Sequence, residues 1–88
     1  MIFEVTQKHI EDGRRCRGLS DRCPVALSMQ TKFKYAWVGN KWIGLGSGVC
    51  AYKQSANLRA KINQFDETGE MEPFKFRLDK DTGKAVLV

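Results

Sequence analysis

The spacing of apolar residues changes period several times along the chain, and each change marks an element. Ile2 to Thr6 alternates, with Ile2, Glu4 and Thr6 on one face and Phe3 and Val5 on the other. That alternation predicts a short strand. Thr6 can cap a helical turn that runs through Asp12 and stops at Gly13. Pro24 then predicts a helix start, because its fixed φ and missing N–H suit the first helical position. Cys23 or Asp21 lies at or just before the cap, and the helix is expected over residues 24–32. Val25, Ala26, Leu27, Met29 and Phe33 supply its apolar side.

From Lys32 the period falls to two. KFKYAWV and KWIGLG alternate on either side of Gly39-Asn40, a good two-residue hairpin turn. In that register Trp37 faces Trp42, Tyr35 faces Gly44 and Phe33 faces Gly46. One hairpin face carries Phe33, Tyr35, Trp37 and Trp42. The other carries Lys34, Ala36, Val38, Lys41, Ile43 and Leu45. Burying an aromatic ring is among the largest stabilising terms a small protein has, so the ring face is expected to form the core.

Val49 to Tyr52 adds a strand or leads into the next helix. Ser55 is a fair N-cap for a helix over 56–66, whose Leu58, Ile62 and Phe65 form a core-facing stripe before Gly69 ends it. Phe74, Phe76 and Leu78 alternate with Lys75 and Arg77 in a half-buried strand. Asp81-Thr82-Gly83 reads as a turn into a last short strand over 84–88. The expected fold is α+β: a small single domain over residues 1–88, with a mainly antiparallel sheet. A central β-hairpin, about 33–46, is packed by two to three helices.

Composition bounds this picture. A chain of 88 residues buries about 60–65% of its unfolded surface, so the core is thin. The 42% of hydrophobic residues and a charged fraction of 28% nevertheless suit a folded unit rather than a disordered one. No apolar run approaches the ~18 residues of a membrane span. The first residues lack the basic start and apolar centre of a signal peptide. The chain is expected to be soluble and cytoplasmic, with no membrane partner. Its net charge of +5 is uneven: residues 1–60 hold ten Lys/Arg against four Asp/Glu, and residues 61–88 hold five against six. Such a field favours nucleic acid or an acidic protein surface as partner.

The candidate chemistry gathers in GRRCRGLSDRCP, residues 13–24. Arg14, Arg15, Arg17 and Arg22, with Lys8 nearby, form a basic loop before a helix N-terminus and are the expected anion- or partner-binding residues. A second set, Lys32, Lys34 and Lys41, interleaves with hairpin rings, as in nucleic-acid contacts. His9, Cys16, Cys23 and Cys50 make a zinc-like donor set. They are separated by six, six and twenty-six residues, whereas zinc ligands come in close pairs. No cofactor is therefore expected, with zinc as the alternative. Gly44 to Gly48 lacks the Lys-Ser/Thr of a phosphate loop. No strand-to-helix elbow supports a Cys–His nucleophile, so a non-enzyme is expected.

His9, Ile10 and Gly13, then Cys23, Pro24, Ala26 and Leu27, then Phe65, Asp66, Pro73, Phe74 and Phe76 fit a recurring pattern. It is His-Ile-x-x-Gly, Cys-Pro-x-Ala-Leu and Phe-Asp-x-Gly…Pro-Phe-x-Phe. In these positions the chain resembles small uncharacterised phage and prophage proteins, with one extra residue in Asp66-Glu67-Thr68-Gly69. The resemblance implies a phage-encoded accessory protein in the host cytoplasm and carries no activity. The expected function is binding a host or phage macromolecule through the Arg-rich loop, inhibition of a host factor being one form. The alternatives are direct nucleic-acid binding and a small structural-zinc domain. The hairpin edge offers a surface for a dimer.

Overall fold

The structure, a computed structural model, describes residues 1–15, 20–46 and 51–88. Cys16, Arg17, Val49 and Cys50 lie outside the described residues. The elements are β1 (Ile2–Val5), α1 (Gln7–Asp12), α2 (Pro24–Gln30), β2 (Trp37–Val38), β3 (Trp42–Gly44), β4 (Ala51–Gln54), α3 (Ala56–Thr68), β5 (Phe74–Asp79) and β6 (Lys84–Leu87). The class is α+β, as the alternating periods predict.

Local signals account for the helices. Thr6 caps α1 by accepting from the His9 N–H at 3.3 Å, and the Thr6 N–H donates to His9 Nδ1 at 3.0 Å. Together these form a capping box, with histidine in the place usually taken by Glu or Gln. Cys23 caps α2, its Sγ accepting from Ala26 N–H at 3.5 Å, and Pro24 opens the helix. Ser55 caps α3 through Leu58 N–H. At the other end Gly69, at φ 74°, takes the left-handed turn and donates to the Phe65 carbonyl at 2.7 Å. Only glycine enters that region without strain.

The sheet departs from the expected one. Its strand order is β1-β5-β6-β4-β3-β2, and β4 pairs with β6 in parallel while the other pairs are antiparallel. It is therefore mixed, not mainly antiparallel. The hairpin is two residue pairs long and stands at the edge, not the centre. The cause is local. Lys32 and Phe33 both donate to the Met29 carbonyl, and Ala36 donates to Phe33, so residues 31–36 complete the exit from α2. Only Trp37 and Val38 remain to pair. The tight turn also moves on by one residue. Gly39 N–H donates to Trp42 at 2.8 Å across Asn40-Lys41, and Trp37 stands opposite Gly44 rather than Trp42. Val38 exchanges two 2.7 Å backbone bonds with Ser20, which covers part of the edge assigned to a dimer.

The hairpin faces are reversed from the expectation. Ala36, Val38, Ile43 and Leu45 are buried, whereas Tyr35 is 72% and Trp42 46% exposed. Ile43 is the cross-strand partner of Tyr52, and β4 continues into β6 through Gln54 opposite Ala85. Buried Tyr52, Gln54, Ala85, Leu78 and Phe76 fix which side faces inward, and β3 must follow. Phe33 alone of the four rings reaches the core margin, edge-on to Phe3 at 6.2 Å, while Phe3 stacks on Phe76 at 5.5 Å. The α3 stripe of Leu58, Ile62 and Phe65 is buried as predicted. α2 packs on β1, α3 on β6, and α1 on α2. Outward positions across the sheet stay exposed or half-buried: Ile2, Glu4, Lys75, Arg77, Asp79, Lys84, Val86, Lys53, Trp42 and Trp37.

Candidate nucleic-acid interface

The basic loop is drawn together at its base, where the Arg14 N–H donates to the Arg22 carbonyl at 2.9 Å. Its side chains then diverge. Arg15 turns to the end of α3: Nε donates to the Asp66 carbonyl at 3.1 Å, and Nη2 donates to the Glu67 carbonyl. Carbonyls in the last helical turn lack intrahelical partners and carry the negative end of the helix dipole. Arg15 therefore acts as a structural clamp. Arg22 lies 3.8 Å from Asp21, and Lys8 lies 3.0 Å from Asp12 one turn away, both pairs well exposed. Exposed pairs of this kind contribute little stability, but they dilute the positive field. Arg14 is exposed and makes no side-chain hydrogen bond or ion pair among the described residues. It borders an open groove of about 720 Å³ that Ile10, Phe65, Met71, Glu11 and Glu70 also line. Arg17 lies outside the described residues. Among the described residues, the loop's cations thus do not form a single anion cradle.

The metal set is divided in a similar way. His9 and Cys23 cap different helices, and each directs a polar atom to its own cap. Cys16 and Cys50 lie outside the described residues. Among the described residues no group of three His, Cys, Asp or Glu could hold a metal ion.

The lysines lead elsewhere. Lys32 lies over the Phe33 ring at 5.9 Å and Lys34 over the Tyr35 ring at 5.5 Å, both in the turns before β2. Lys41 is exposed in the hairpin turn. On the helix-free face, register places four side chains in one row across four strands. Trp42 stands opposite Lys53, Lys53 beside Lys84, and Lys84 opposite Asp79. Strands lie about 4.8 Å apart, so the two ammonium groups stand on adjacent stems next to an indole. Neither lysine forms an ion pair among the described residues. Trp37 adds a second indole. Its ring lies over Gly44, where an added Cβ would come within 2.1 Å of Cε2, and reaches above Gly39.

The grouping of Lys53, Lys84 and Trp42 was not legible in the sequence. Alternation in β5 marks Lys75 and Arg77 as outward. Nothing local marks Lys53 and Lys84 as neighbours, since that follows from a parallel pairing between distant segments. Among the described residues no helix is long and apolar enough to cross a membrane. Comparison of the chain with protein-family models, curated proteins and solved structures finds no match.

Proposed function

We propose that the protein acts by binding single-stranded nucleic acid on its helix-free sheet face, and not by catalysis. The observation that carries this is the row Trp42, Lys53, Lys84, with the half-buried Trp37 beside it. Exposed rings on a sheet stack on unpaired bases, and neighbouring cations hold the phosphates. Like charges side by side on a sheet destabilise it, and a phosphate between them relieves that repulsion. The basic loop adjoins β2 through Ser20 and supplies further positive field. In the phage setting implied by the resemblance, this is an accessory protein acting on nucleic acid in the host cytoplasm.

A second reading, an acidic protein surface bound through the loop, is favoured by the free guanidinium of Arg14 at its groove. It ranks lower because Arg15 is engaged by α3 and Glu11 and Glu70 share the groove.

The test uses the chain's own fluorescence, since both of its tryptophans lie on this face. Titration with a twelve-nucleotide oligothymidylate at low salt should quench emission, and Trp42→Ala should weaken binding by about tenfold or more, as loss of one stacked base implies. Absence of binding at low salt would overturn the reading.

A further inference from the structure

We infer that the bound strand crosses the β-strands rather than running along one of them, with a footprint of about four nucleotides ending at Asp79. This rests on the single-stranded reading above. Along any one described strand the outward positions do not join a ring to two cations: β5 presents Lys75, Arg77 and Asp79, two cations without an exposed ring. β4 presents Ala51 and Lys53, and β6 presents Lys84 and Val86. β3 presents Trp42 and then Gly44, which Trp37 covers. Among the described residues, only the crossing row brings an indole and two ammonium groups together.

The row also has an end. Asp79 stands opposite Lys84, and its Oδ1 accepts from the Asp81 N–H at 2.9 Å, so the row closes on the Asp79 carboxylate. Along the row a phosphate advancing past Lys84 meets the Asp79 carboxylate, while Arg77 and Lys80 line the same surface beside it. From Trp42 to Asp79 the row spans three strand spacings, about 14 Å. That width suits about four nucleotides, the small end of the range for stacking platforms. Bases sit at the β2–β3 end on Trp42 and Trp37, and the backbone lies over Lys53 and Lys84.

A length series of oligothymidylates from two to twelve nucleotides tests the path, read by tryptophan quenching and repeated over a range of salt. Affinity should rise steeply to about four nucleotides and then only in proportion to the number of overlapping sites. Lys53→Gln and Lys84→Gln should each flatten the log–log salt slope by about 0.7, while Arg59→Gln, on α3, should leave it unchanged. Asp79→Asn should tighten binding severalfold. An oligomer of abasic sites should bind more weakly and leave emission unaltered. Quenching by twelve nucleotides that keeps steepening beyond eight, or an unchanged slope in both glutamine variants, overturns the path while the single-stranded reading stands. If no oligonucleotide changes the emission, the reading itself fails.

Discussion

The guanidinium of Arg15 donates to the Asp66 carbonyl at 3.1 Å, joining the loop after α1 to the last turn of α3. The contact gives a basic residue of the loop a structural role. Arg15→Ala removes two charge-assisted hydrogen bonds to carbonyls of the last turn of α3. At this exposed site we expect a loss of roughly 1 kcal/mol, seen as a fall of several degrees in the thermal midpoint. Arg14→Ala should change the midpoint by less than about 0.5 kcal/mol equivalent, as its side chain holds nothing among the described residues. Equal effects would show that the two arginines are not divided in this way.

The reversed hairpin makes a second expectation. Ile43→Ala removes methyl groups from a fully buried site and should cost about 2–5 kcal/mol in urea unfolding. Tyr35→Ala should cost less than about 0.5 kcal/mol despite its larger side chain. Were the rings the core face, the order would invert.

Gly44 offers a third. A Cβ there would sit 2.1 Å from the Trp37 ring, so Gly44→Val must displace the indole or the strand. Such overpacking costs about 1–3 kcal/mol, and the emission spectrum of Trp37 should shift red as its ring moves into water. An unshifted spectrum with full stability would contradict the placement of that ring.

The helix caps give a fourth. Thr6→Ala removes the hydroxyl that accepts from His9 N–H and should cost about 1 kcal/mol. Because His9 Nδ1 serves this cap, a strong chelator should leave the unfolding curve unchanged. A chelator-induced fall in the midpoint would restore the zinc reading.

How much of this was legible depends on range. Pro24, Ser55, Thr6 and Gly69 are read correctly because a cap is set by a few adjacent residues. The α3 stripe and the alternation of β5 were legible for the same reason. The hairpin was legible as alternation, but a period of two defines two faces without saying which is covered. That choice was made by Tyr52 opposite Ile43 and by β6 beside β4, contacts between distant segments. The candidate site followed the same rule. The arginine run is conspicuous in the sequence, yet Arg15 serves α3. Lys53 and Lys84, unremarked in the sequence, stand side by side.

The parallel contact between β4 and β6 rests on Lys53 opposite Lys84 and Gln54 opposite Ala85, supported by bonds from Lys53 N–H to Gly83 and Ser55 N–H to Ala85. β6 follows every strand it joins in chain order. Until it docks, β1 with β5 and β4 with β3 and β2 are two unconnected half-platforms. The row of Trp42, Lys53, Lys84 and Asp79 is created by that last docking step. A partly folded or growing chain therefore has rings on one fragment and acids on the other, with no track between them. On the proposed reading, competence to hold a strand and completion of the sheet are then one event.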